Sequence, residues 1–176
     1  MNPNIKHYIT LLKNYNETTN IYSKKAYDKL DFHIQDSIQL AQLLSNKTAT
    51  IFDFGSGSGL PSIILAIENP NQTIYAIESK SRKYIFLQQC KQELCLKNIH
   101  IVPTNIFEWN PPCQADYITA KAFGSIEKIK TIRKKLNQTQ STIICPISKT
   151  QAEQEKALPN TTIQSIPPFY YRINTP

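Results

Sequence analysis

Apolar positions along the chain follow two regimes that change near residue 47. Before it they recur at helical spacing. In HIQDSIQLAQLLS, Ile34, Ile38, Ala41 and Leu44 fall on one face, and residues 1–46 are predicted to form a helical N-terminal cap. Beyond it, short apolar runs alternate with segments of helical period. The runs predict strands over 50–54, 73–78, 99–102, 116–120 and 141–147. The intervening segments predict helices over 60–68, 81–96 and 125–136, with a short helix over 149–157. Strand–helix alternation requires right-handed crossovers and a mostly parallel sheet with helices on both faces, a Rossmann-like α/β fold. The α/β core is placed at 47–158 and a tail at 159–176, which Pro167 and Pro168 mark as an irregular or edge segment. No repeat or linker divides the chain, so a single domain over 1–176 is expected.

The chain has four glycines, and Gly55, Gly57 and Gly59 fall within IFDFGSGSGLP, between a predicted strand and a predicted helix. Lacking Cβ atoms, such a loop turns sharply and lets backbone amides approach a ligand closely. No Lys-Ser/Thr follows, which excludes a nucleoside-triphosphate loop. The G-x-G-x-G spacing and the length of the chain also argue against a dinucleotide fold. The next strand ends in Glu78, placed to accept from both hydroxyls of a ribose beside the loop. Asp53 is expected below the amino-acid part of the ligand, holding loop amides or a water. Loop and acid together favour an adenosine cofactor, and S-adenosyl-L-methionine fits best, with Ser56 and Ser79 among its neighbours.

These residues resemble a known family. HIQDS, IFDFGSGSGLPSIILAI and ESKSRKYIFL are similar to the bacterial small-subunit rRNA guanine-N7 methyltransferases, the glucose-inhibited division protein B family. Tyr15-Asn16, Asn20-Ile21 and DYITAKAFGS (116–125) extend the likeness to about residues 11–150. The resemblance implies a class I S-adenosyl-L-methionine-dependent methyltransferase acting on guanine N7 of small-subunit ribosomal RNA, either naked or in the assembled subunit. It implies that Gly55 and Leu60 line the cofactor pocket, that Ile106 and Phe107 flank the adenine, and that Lys121 touches the cofactor and the RNA. The sequence departs from the family pattern at Asn105 and Phe107, where the family has arginine and glutamate, and at Ser62, where it has glycine. Lys121 replaces an arginine, which keeps the charge and loses the planar fork.

Charge agrees with a polyanionic partner. The formal net charge is +7, and the stretch from Lys121 to Lys135 carries six basic residues against Glu127. Lys128, Arg133 and Lys134 in that stretch, with Arg82 and Lys83, are the candidate RNA-binding residues; the bland reading is a solvated helix face. His33 shares an early helix with Asp36 and Ser37. It either packs the cap on the core or shapes the cofactor and RNA entrance, so His33 and Lys121 are positioning candidates. No catalytic nucleophile stands out, as methylation of a nitrogen lone pair requires none. Cys90, Cys95, Cys113 and Cys145 form no C-x-x-C pair and have no histidine at metal-ligand spacing, so reduced thiols and no metal are expected. No apolar run reaches membrane-spanning length and no signal layout opens the chain, so a cytoplasmic monomer without membrane contact is expected. A methyltransferase for a small molecule or protein, and a catalytically silent RNA-binding relative, are the competing readings.

Overall fold

The computed structural model describes residues 2–45, 48–156 and 161–176. Helix α1 (Pro3–Thr19) starts at Asn2, whose side chain accepts from the Asn4 amide, and ends where Asn20 turns left-handed. A short 3-10 helix (Lys24–Lys29) leads into α2 (Leu30–Leu43), so the helical N-terminal cap is present but broken by a turn.

The remaining elements are β1 (Thr50–Phe54), α3 (Ser62–Glu68), β2 (Thr73–Ile77), α4 (Ser81–Glu93), β3 (Ile99–Val102), β4 (Tyr117–Thr119), α5 (Ile126–Lys135), β5 (Thr142–Ile147), α6 (Lys149–Glu155), β6 (Thr162–Ile166) and β7 (Phe169–Asn174). They build one seven-stranded sheet in the order β3-β2-β1-β4-β5-β7-β6. Strands β1 to β5 are parallel, and β7 runs antiparallel to both β5 and β6. The order reverses between β1 and β4, and their carboxyl ends open the crevice where such sheets bind ligands.

The expected elements are present, with ends shifted by a few residues. Helix α4 stops at Glu93 because Cys95 takes a left-handed conformation. Helix α6 starts in a capping box between Ser148 and Gln151; its expected end at Ala157 lies outside the described residues, as does Pro159. The tail needs correction. It is a regular hairpin that completes the sheet: β6 is an edge strand, as expected, but β7 is interior. The two prolines lie in its turn, since Ile166 pairs with Phe169, and the flanking TIQSI and FYYRIN carry β-branched and aromatic residues that suit strands. The sheet therefore runs past residue 158, to Asn174.

Side-chain alternation divides the core. Ile51, Ile74 and Ile99 face α1 to α4, whereas Phe52, Phe54 and Ile118 face α5 and Trp109. Asp53 alternates onto the first face, beneath the glycine loop. The N-terminal cap is fastened there by aromatic side chains. Tyr8 and Tyr15 of α1 pack on Phe86 of α4, with ring centroids 6.3 and 5.1 Å away. Tyr8 and Tyr15, seven residues apart, thus share a packing face of α1, while Tyr22 lies beyond that helix. Cys90 and Cys145 are buried and Cys95 and Cys113 exposed, all as free thiols. Burial pushes the Cys145 thiol up to about 11, so it is inert near neutral pH.

Candidate active site

Left-handed or otherwise positive φ angles at Gly55, Gly57 and Gly59 (+73°, +58° and +97°) carry the chain from β1 into α3. The amides of Gly55 and Ser56 both donate to the Ile77 carbonyl at 3.0 Å, which fixes the loop to the end of β2. The Gly57 amide donates to Oε2 of Glu78 at 2.9 Å, and the Lys80 amide to Oε1 at 2.8 Å. Glu78 therefore clamps the loop from the tip of β2. A carboxylate offers about four acceptor sites, so lone pairs remain for a ribose diol. Gly59 is a packing glycine: a Cβ there would fall 2.5 Å from Cγ1 of Ile63.

A second anchor comes from the cap. The Tyr8 hydroxyl, fully buried, donates to the Ser58 carbonyl at 2.8 Å. Tyr8→Phe leaves that carbonyl without its donor. The expected result is a loss of about 1–2 kcal/mol of stability with weaker cofactor binding, checked by denaturant melts and calorimetry.

Of the two roles expected of Asp53, holding the loop amides is not seen. Asp53 is fully buried, and neither carboxylate oxygen has a hydrogen-bond partner of good geometry among the described residues. The loop amides that it was expected to hold bond to Ile77, Glu78 and Ser56 instead. Burial pushes its pKa up to about 6, eased by the neighbouring Ser56 and Ser62 hydroxyls and worsened by the charge of Glu78.

Three cavities meet at Ala122. The first, about 430 Å³, lies between Glu78, Ser79, Ile106 and Phe107, with Gly55 and Lys83 at its inner end. Ile106 is buried and Phe107 is 41% exposed. Lys135 donates to the Phe107 carbonyl at 2.6 Å and lies 5.4 Å from its ring centroid, steadying this wall. The second, about 250 Å³, lies over Ser56, Gly57 and Leu60, with His33 and Lys121 on its far side. The third, about 450 Å³, lies between α2, the 120–124 segment and the C-terminal hairpin. Ala122, in a left-handed conformation at φ +53°, borders all three.

The H-x-x-D-S stretch organises the junction. Lys121 Nζ donates to Asp36 Oδ2 at 2.7 Å, and the buried Tyr171 hydroxyl of β7 donates to Oδ1 of the same carboxylate at 3.0 Å. Ser37 Oγ donates to the His33 carbonyl, and the Tyr22 hydroxyl pairs with His33 Nδ1 at 2.6 Å. Burial, helped by the charge of Lys121, lowers the His33 pKa and favours the neutral imidazole. His33 thus packs against the cap through Tyr22 and also lines two of the cavities.

The basic candidates separate. Lys83 borders the first two cavities, and Lys128 lies 4.5 Å above the Phe123 ring at the mouth of the first. Arg82 and Lys134 are exposed. Arg133 is half-buried and donates to the Ser141 carbonyl at 3.0 Å, which ties α5 to the start of β5. Sequence reasoning missed Tyr171, Tyr22 and Ala122. Tyr171 had a usable signal in the alternation of FYYRIN, whereas the backbone of Ala122 had none. Among the described residues there is no cluster of three or more metal-ligating side chains and no helix long and apolar enough to cross a membrane.

A parallel sheet with this strand order, a glycine loop after its first strand and an acid closing its second, defines a class I S-adenosyl-L-methionine-dependent methyltransferase. An S-adenosyl-L-methionine-dependent O-methyltransferase of Thermotoga maritima shares this fold with a TM-score of 0.60 at 16% identity, over 80% of this chain and 64% of its own. The family described as GidB, rRNA small subunit methyltransferase G, matches residues 1–167. A ribosomal RNA small subunit methyltransferase G of Helicobacter acinonychis is 34% identical over 71% of this chain and 70% of its own length. One from Dichelobacter nodosus is 32% identical over 69% of this chain, a match that spans only 58% of that relative. The chain belongs to the rRNA small subunit methyltransferase G family.

Proposed function

We propose that this chain transfers a methyl group from S-adenosyl-L-methionine to N7 of a guanine in small-subunit ribosomal RNA. The observation that carries the reading is the meeting of the three cavities at Ala122: two side by side along the loop and a third opening onto their junction. The residues present fit the cofactor. The clamped Glu78 keeps free lone pairs for the ribose, and Ser79, Ile106 and Phe107 flank the adenine. Gly55, Ser56, Gly57 and Leu60 border the amino-acid end, where a Cβ at Gly57 would project into space with no heavy atom nearer than 3.7 Å. Gly59 supports this loop from below. Asp53 acts from beneath it, through a water.

The cofactor supplies an activated methyl on a sulfonium, so the protein's task is alignment and exclusion of water. Lys121 stands at the junction with its charge matched by Asp36, so it does not oppose the sulfonium as a bare cation. His33 stays neutral beside it. Lys83 and Lys128 beside the adenine-side cavity, with the exposed Arg82 and Lys134, are the proposed phosphate contacts, and salt is expected to weaken RNA binding steeply. The reading takes the chain as a single domain acting as a monomer, in the cytoplasm where ribosomal RNA resides.

The test is transfer of labelled methyl to small subunits, and to naked RNA, from cells that lack this methylation, with N7 adducts located by chemical strand cleavage. Transfer to one guanine supports the proposal. Cofactor binding without transfer to RNA points to a protein or small-molecule substrate. RNA binding without cofactor binding points to a silent relative.

A further inference from the structure

We infer that the third cavity receives the acceptor guanine turned out of its RNA, and that Phe32 and Phe169 at its mouth stack on the base. The inference deepens the proposed function and rests on it.

Position comes first. The cavity shares Ala122 and Phe123 with the adenine-side space, and His33, Lys121 and Ala122 with the space over the loop. It therefore opens where a cofactor spanning those two spaces presents its central sulfonium. A planar purine in it reaches the methyl edge-on.

Size and lining agree. About 450 Å³ lies within the usual range for small-ligand pockets, and the lining mixes aromatic faces with a few polar groups such as Lys121, Ser148 and Gln151. A flipped base is held in this way, stacked on aromatic rings and read at its polar edge.

The aromatic pair is the third observation. Among the described residues the exposed large apolar side chains are Ile85, Phe107 and Phe32. Phe107 borders the adenine-side space, and Phe32, 46% exposed, borders this one. Each thus offers a ring face beside a cavity. Phe32 of α2 meets Phe169 of β7 with centroids 5.1 Å apart and planes tilted by 45°, which joins the cap to the hairpin beside the cavity that both line. Lys149, at the start of α6 on the same rim, and the overall charge of +7 suit the phosphates flanking a turned-out nucleotide.

The step balances without a base. The N7 lone pair forms the new N–C bond, the S–C bond breaks with its electrons going to sulfur, and no proton moves. Guanine becomes the cationic N7-methyl form and the sulfonium a neutral thioether.

The experiment compares methyl transfer to undermethylated small subunits by the wild type, Phe32→Ala, Phe169→Ala and Phe32→Trp, with S-adenosylhomocysteine calorimetry on each. Loss of a stacking face is expected to lower kcat/KM about 5- to 100-fold, with cofactor affinity unchanged and Phe32→Trp close to wild type. Phe32 is exposed, so its variants carry the test even if Phe169→Ala loosens the hairpin. Unchanged kcat/KM in Phe32→Ala, with an active wild type, overturns the base pocket and leaves the proposed function standing. A wild type that binds cofactor but methylates no RNA overturns both.

Discussion

Gly57→Val is expected to weaken S-adenosyl-L-methionine binding by at least about 100-fold, close to 3 kcal/mol, while the protein stays folded. The nearest atoms to a Cβ at this position are the Gly55 carbonyl oxygen at 3.7 Å and Lys83 Nζ at 3.9 Å, so a side chain here meets ligand space and not the core. The φ of +58° adds roughly 1–2 kcal/mol of backbone strain for an L-residue, which a folded domain tolerates. Gly59→Ala is the contrasting variant, because its Cβ would strike Ile63 and press on Leu87, 3.2 Å away. The first should lose ligand and the second should lose stability. Calorimetry and thermal melts on both separate the effects, and wild-type affinity in Gly57→Val would move the cofactor away from this loop.

The second large effect concerns Asp53. Its folded-state pKa of about 6 lies above the ordinary carboxylate value, so between roughly pH 4 and 6 the folded protein holds a proton that the unfolded chain has released. Stability therefore falls as pH rises through that window, by up to roughly 3 kcal/mol, and the penalty is complete above it. Asp53→Asn has no such term. Its stability is expected to exceed that of the wild type at pH 8 and to converge with it near pH 4. His33 acts in the opposite sense: with its pKa lowered, its contribution is present above the ordinary histidine value and lost as pH falls below it. Both proteins contain His33, so the difference between them isolates Asp53. Parallel urea-melt profiles from pH 4 to 8 would refute the assignment. Keeping so unfavourable a carboxylate under the loop makes sense if bound cofactor improves its surroundings, and the variant should bind the cofactor less well.

The alternation of apolar runs made the parallel part of the sheet legible, because strands buried on both faces carry near-continuous apolar residues, as in TIFDF and STIICPI. The hairpin is only partly legible, because two adjacent prolines suit an irregular or edge segment as well as the tight turn that they make here. In the site, Gly57 and Glu78 were readable from spacing, since a loop amide and an acid at adjacent strand ends must meet. The partners of the loop amides were not, because the Ile77 carbonyl and Glu78 take amides that Asp53 was expected to hold. The Tyr171–Asp36–Lys121 link joins residues 135 positions apart at its extremes and left no local trace.

That link and its neighbour also govern charge. Lys121 is matched by Asp36, and Arg172, on the wall of the same cavity, is matched by Glu155 through contacts of 2.7 and 2.6 Å. In the proposed reaction one unit of positive charge leaves sulfur and arrives on the purine. Two bare cations would push back against it as the bond forms. Each instead stands as half of a neutral pair, so the chamber accepts an ion it has just created, and the finished base is not driven out before transfer is complete.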